Sequence, residues 1–157
     1  LVLDAGCGEG HVLTRFLLDR FPAVYGFDLD IARLHYAAEE QNSLRLGQAN
    51  LEQVPLPDDV VDLVLALEVL EHVGHPEKAL LELRRVTRRY VLLSVPNEPF
   101  WRMGNMARGA YLSDWGNSPE HINHWSVWSF RKFVARHFRI IDVATPFLWT
   151  FVLAEKV

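Results

Sequence analysis

The chain opens on Leu1-Val2-Leu3-Asp4-Ala5-Gly6-Cys7-Gly8-Glu9-Gly10, and this decapeptide decides how the rest is read. Three apolar residues run into a glycine-rich turn. A helical pattern begins at about His11, with Leu13, Phe16 and Leu17 on one face. A glycine turn between a strand and a helix is a ligand loop, because glycine lets the backbone approach a ligand closely. Gly6, Gly8 and Gly10 have the spacing G-x-G-x-G. The dinucleotide fingerprint is G-x-G-x-x-G, with the helix N-terminus turned on a pyrophosphate.

Here the third glycine comes one residue early, and Asp4 precedes the turn. A carboxylate at that point suits an ammonium group better than a pyrophosphate. Asp28 ends the next apolar run, where a carboxylate can accept hydrogen bonds from both ribose hydroxyls. The expected ligand is a nucleoside with a cationic tail and no phosphates. S-adenosylmethionine (SAM) is such a molecule, and an NAD-type ligand is disfavoured by the glycine spacing.

Working outward, short apolar runs alternate with helical patterns, as in a parallel sheet covered by helices. Strands are expected over 1–4, 24–28, 44–48, 60–67 and 90–95, the last stopped by Pro96. Asp30 can cap a helix that carries Ile31, Leu34 and Ala38 inward. His75-Pro76 starts another, with Pro at its first position, Glu77 in the first turn, and Leu80, Leu83 and Val86/Thr87 inward. Residues 97–125 show no clean period. A helix resumes at about Ser126 with Phe130, Phe133 and Val134 inward. Two last strands, 139–145 and 148–155, are joined too closely for a parallel crossover and should be antiparallel.

The 157 residues are 50% hydrophobic and 23% charged, which suits one ordinary globular domain. The net charge of -4 weighs against a nucleic-acid or anionic-membrane surface. Arg84-Arg85, Arg88-Arg89, Arg131, Arg136 and Arg139 read as solvated helix faces. Cys7 is the single cysteine. It allows no internal disulfide, fits a reducing, cytoplasmic setting and reads as a small packing residue. No apolar run reaches the ~20 residues of a membrane span. The opening strand has no Met before it, so we expect a fragment that lacks an N-terminal segment. His11 reads as a cap-region or ligand-contacting group; His35, His75 and His137 read as surface or capping residues.

Six blocks complete the pattern: LVLDAGCGEG at 1–10, GFD at 26–28, NLEQVPLP at 50–57, VDL at 61–63, EVLEHV at 68–73 and ALLELRRV at 79–86. Together they resemble class I SAM-dependent methyltransferases, and within them the type-11 family, which includes quinone-biosynthesis-like enzymes. The resemblance covers the whole chain in order. It implies an α/β, Rossmann-like seven-stranded sheet in the order 3-2-1-4-5-7-6, with strand 7 antiparallel and helices on both faces. It also implies a single domain, 1–157, with a substrate or lid insertion at about 97–125 and a missing N-terminal helical segment.

By position, the resemblance gives the methionine moiety to Asp4 and the Gly6, Gly8 and Gly10 backbone, and the ribose to Asp28. Leu29 would pack on the adenine. Asn50 stands where the family usually has Asp beside the adenine amino group; its carbonyl oxygen can still accept that bond. The Leu51 amide would reach a ring nitrogen, and Leu67 would border the methionine part.

Methyl transfer from a sulfonium is an in-line displacement, so the protein mainly aligns the acceptor and excludes water. A base is needed only if the acceptor must lose a proton. His72 and His121 are the candidates for that base or for orienting the acceptor. A competing reading makes Glu68, Glu71, His72 and His121 metal ligands, as in small-RNA 3′-end methyltransferases. It is set aside, and no metal is expected, because E-x-x-E-H also occurs in metal-free relatives and the acidic charge does not suit RNA. A catalytically silent SAM-binding domain is the non-enzyme alternative. Residues 97–130 hold seven of the eighteen aromatics, including Trp101, Trp115, Trp125 and Trp128. They leave the carboxyl edge of the sheet, where ligands bind in open α/β folds. This segment is expected to build a pocket and lid for a small, apolar or planar, or lipid-like acceptor.

Overall fold

The computed structural model describes residues 1–157. Seven strands form one sheet: β1 (Val2–Ala5), β2 (Val24–Asp28), β3 (Leu46–Gln48), β4 (Val61–Leu67), β5 (Thr87–Pro96), β6 (Arg139–Ala144) and β7 (Trp149–Glu155). Their order is β3-β2-β1-β4-β5-β7-β6, as expected. The first five are mutually parallel, and β7 runs antiparallel to both β5 and β6.

Strand alternation sorts the apolar residues into two cores. Leu3, Ala5, Val64, Ala66, Val91, Leu93 and Val95 face one side, under Ala79, Leu80, Leu83 and Val86 of helix α2 (Pro76–Val86). Phe130, Phe133 and Val134 of helix α4 (Val127–Val134) seal the same core. Val2, Val24 and Leu65 face the other side, against Leu13 and Leu17 and against Leu34 of helix α1 (Ile31–Glu40). Strands read as continuous apolar runs because both faces are covered. No helix is long and apolar enough to cross a membrane.

Local chemistry explains most boundaries. Asp30 accepts the amides of Ala32 and Arg33 at 2.9 and 3.4 Å, which starts α1. Pro76 opens α2, and Ser126 and Ser129 form a reciprocal cap on α4.

Several expectations need correction. After Gly10 the chain makes a π-helical turn, Leu13–Leu17, with the Leu18 amide on the Leu13 carbonyl at 3.0 Å. The wider turn aligns Leu13 with Leu17 and leaves Phe16 exposed. In α1 the row that meets the sheet is Leu34 and Ala37, three apart, so Ile31 and Ala38 face solvent. Strand β5 begins at Thr87, directly out of α2, and includes Pro96, whose missing amide falls at the strand's end. Strand β3 is shorter than expected.

Arg84 and Arg85 are pins rather than a solvated face, whereas Arg88, Arg89, Arg131, Arg136 and Arg139 are exposed as expected. Arg85 binds Glu82, Asp58 and the carbonyls of Val54 and Leu56, fastening the segment before β4 to α2. Arg84 binds the carbonyls of His137 and Val157, and Arg88 binds Asp62. His137 is itself half-buried, 2.6 Å from Glu77. Residues 97–125 are not featureless either: they contain helix α3 (Phe100–Ala107) and a 3-10 turn, Leu112–Asp114. Gly104 and Asn105 blur the helical period of α3. Both are tertiary requirements, since a Cβ on Gly104 would stand 3.3 Å from Leu148, and buried Asn105 donates to the Gly116 carbonyl at 2.7 Å.

Candidate functional site

The glycine loop leaves β1 at the carboxyl edge of the sheet. The amides of Gly6 and Cys7 both donate to the Phe27 carbonyl, at 2.6 and 2.9 Å, so the turn is tied to β2. Gly6 has φ +90°, and a Cβ there would lie 2.4 Å from Cγ2 of Val69. Only glycine fits, which brings the backbone hard against the segment after β4. Cys7 is buried beneath the loop, its thiol pushed up to about 12 by desolvation and by the nearby carboxylates of Asp4 and Asp28. That confirms packing, not reactivity.

Asp28, at the end of β2, is aimed by two amides: Gly8 donates to Oδ2 at 2.7 Å and Asp30 to Oδ1 at 2.9 Å. Asp4 is buried, and its Oδ2 has no hydrogen-bond partner. Desolvation, followed by repulsion from Asp28, pushes its carboxyl up to about 7. An orphaned, buried carboxyl beside a ligand loop is a place prepared for a cation or a donor.

A cavity of about 570 Å³ opens over this edge, and Gly6, Asp28, Leu29, Asn50, Leu51 and His72 all line it. Of the other expected residues, Asp4, Gly8, Gly10, Leu67 and His121 stand outside its lining. Gly10 packs towards Ala37 and Leu44, and Leu67 is half-buried against the α1-side core. Asn50 already spends its side-chain oxygen on the Glu52 amide at 2.8 Å, leaving one lone pair for a ligand. The lining also includes Asp30, Glu52, Glu68 and Glu120, so five carboxylates with Asp28 face one guanidinium, Arg33.

Beside the cavity lies a second centre. Glu68 follows β4 with φ 57°, a strained conformation for a residue with a Cβ. It is held as a clasp: Ser94 donates to Oε1 and the Trp149 indole to Oε2, both at 2.7 Å. Burial raises its carboxyl and these two bonds lower it, with burial the larger effect.

Glu71 is buried with both oxygens unpartnered, and desolvation, then the Glu68 charge, pushes it up to about 8. Its backbone carbonyl accepts the amides of Ile122 and Asn123, while the Asn123 side chain donates to the carbonyls of Leu70 and Val73. These bonds bring His121 to His72, with ring centroids 4.9 Å apart. Trp101 stacks on His121 at 5.6 Å. Desolvation and the neighbouring His72 and His124 lower the His121 imidazole, which keeps it neutral at pH 7.

Sequence reasoning missed Ser94, Glu120, Asn123 and Trp149. Their partners are 26 to 81 residues away along the chain, and no local pattern marks them. It also grouped the tryptophans too freely. Trp101 touches the centre, Trp125 packs on Phe130 and Phe133 in the core, and Trp115 and Trp128 are exposed.

With this geometry in place, the kinship of the chain is clear. A family profile described as a methyltransferase domain, type 11, matches residues 3–94. The chain belongs to this methyltransferase family. It is 35% identical over 98 residues to the Mycolicibacterium smegmatis protein named "Probable S-adenosylmethionine-dependent methyltransferase", covering 61% of this chain and 38% of that one. It is 37% identical over 87 residues to the malonyl-acyl-carrier-protein O-methyltransferase of Serratia marcescens, covering 55% and 34%. These matches span little more than a third of either relative. The fold is shared with a SAM-dependent methyltransferase from Aquifex aeolicus, at TM-score 0.77 and 23% identity, over 99% of this chain and 81% of that one.

Proposed function

We propose that this chain binds SAM in the 570 Å³ cavity and transfers its methyl group to a small, apolar or planar acceptor. The observation that carries the reading is the cavity's charge. Five carboxylates, with buried Asp4 beneath, favour a cationic ligand and repel a pyrophosphate. Asp4 would face the ammonium of the methionine moiety, Asp28 the ribose, Leu29 the adenine face, and Asn50 and the Leu51 amide its polar edge. Leu67 would stand behind the methionine part.

When bound, SAM supplies an electrophilic methyl group on a sulfonium. The chain's own work is to align the acceptor and keep water out. Segment 97–125 serves as the lid, and Trp101 with His121 forms its inner wall. His72 donates its Nδ1–H to the Glu120 carbonyl at 2.9 Å, so the lone pair of the neutral ring is on Nε2. His72 or His121 can therefore orient a hydroxyl acceptor or take its proton. The reading as an RNA enzyme gains no support, since Arg84, Arg85 and Arg88 are already committed within the fold.

Calorimetric titration with S-adenosylhomocysteine and NADH in parallel tests the cofactor. We expect binding of S-adenosylhomocysteine alone; stabilisation by NADH alone would overturn the proposal.

A further inference from the structure

Glu71 presents an unusual condition: it is 1% exposed, and neither carboxylate oxygen has a hydrogen-bond partner. A carboxylate buried in this way is costly unless a proton or a cation compensates it. Two imidazoles converge on it. One ligand atom from each of Glu71, His72 and His121 can be chosen so that all three lie within 4.8 Å of one another. Glu68 stands outside this set, with one oxygen hydrogen-bonded by Ser94 and the other by Trp149.

The surroundings match those of a metal-binding imidazole, which characteristically donates its second N–H to a carbonyl or carboxylate. The His72 bond to the Glu120 carbonyl does this and leaves Nε2 free to ligate. Trp101, stacked on His121, restrains the other ring.

We propose that Glu71, His72 and His121 bind one divalent first-row transition ion, with open coordination positions beside the cavity. Two imidazoles and one carboxylate favour zinc, manganese or iron over magnesium or calcium, which prefer oxygen donors throughout. Three ligands about 2.1 Å from one ion stand about 3.4–3.6 Å apart, so the trio closes by up to about 1 Å, which rotation of the exposed His72 ring can supply. The expectation of a metal-free site came from the motif and the net charge, neither of which reveals an unpartnered carboxylate. The ion would hold an oxygen donor of the acceptor, and the imidazoles would then act as ligands in place of a base. That consequence rests on the proposed function; the binding itself does not.

The test uses chain purified without an immobilised-metal step, stripped by chelator, and titrated calorimetrically with Zn²⁺, Mn²⁺ or Mg²⁺ alone. One equivalent of Zn²⁺ or Mn²⁺ should bind, with Mg²⁺ weaker. Glu71→Gln and His121→Ala should each lower affinity by about 100-fold, and His35→Ala should leave it unchanged. Circular dichroism checks the folding of each variant. Independently of any variant, Co²⁺-loaded wild-type chain should show paramagnetically shifted resonances from two imidazoles. Binding below one equivalent, binding that survives both substitutions, or fewer than two shifted imidazoles would overturn the proposal. S-adenosylhomocysteine is titrated into the same stripped protein. Cofactor binding with no metal binding sinks this inference alone, and metal binding with no cofactor binding sinks the functional reading alone.

Discussion

The glycine loop and the Glu71 centre lie at the same edge of one sheet, yet they are built in opposite ways. Around the loop, the shape comes from the backbone of closely spaced glycines and from Asp28, the last residue of β2, which the Gly8 and Asp30 amides aim. Around Glu71, the groups come from four separated segments: the turn after β4, α3, the 118–124 stretch and the start of β7. The first arrangement is a property of consecutive residues. The second exists only once hydrogen bonds from Ile122 and Asn123 fasten one segment onto another. A cofactor shared by many enzymes can be held by the first kind of site. On the proposed function, the acceptor, which differs between enzymes, would be met by the second.

The sharpest way to break this contrast is Gly6→Val. Its side chain would enter Val69 from a backbone at φ +90°, so we expect a stability loss of about 3–5 kcal/mol and loss of cofactor binding. Gly8→Ala is the internal control, because its Cβ meets nothing closer than the Arg33 guanidinium at 3.9 Å; about 1 kcal/mol is expected there. Equal losses in thermal melts of the two variants would mean that the close approach at Gly6 is not what makes the loop.

Asp4→Asn comes next. S-adenosylhomocysteine affinity should fall by about 10- to 100-fold, as a charge-assisted bond becomes a neutral one. The unliganded protein should respond in the opposite sense at pH 8, becoming more stable. In wild type the folded state keeps a proton on Asp4 up to about pH 7, whereas the unfolded chain releases it near 3.8. Stability from this group is therefore full below pH 4 and falls as pH rises towards 7, by up to about 4 kcal/mol. Denaturation curves from pH 4 to 8 should show a shallower decline for Asp4→Asn than for wild type. Parallel curves would remove Asp4 from the site.

Asn123→Ala probes the other region and should be the smallest of the three. It strips two hydrogen bonds from the carbonyls of Leu70 and Val73, at an expected cost of about 1–3 kcal/mol. Methyl transfer should suffer while S-adenosylhomocysteine affinity stays within a few-fold. A matching drop in both would show that the two regions work as one.

Much of this protein was legible along the chain. The apolar runs placed the strands within a few residues, and Asp30, Pro76 and Ser126 marked their helices through capping, a short-range effect. The loop was legible because glycine spacing and a preceding Asp constrain neighbouring backbone directly. Phe16, Ala38 and α3 were misread because which side of a short helix turns inward depends on what it meets. The sequence by itself determined the sheet, the loop and the kind of ligand it can hold, since those follow from periodicity and local sterics. Only the tertiary structure decided that Glu68 is a clasp, that Trp101 rather than Trp115 reaches the centre, and that Glu71 is buried beside two imidazoles with neither oxygen hydrogen-bonded. Burial and pairing are relations between distant residues, and a carboxylate acquires its chemistry from them.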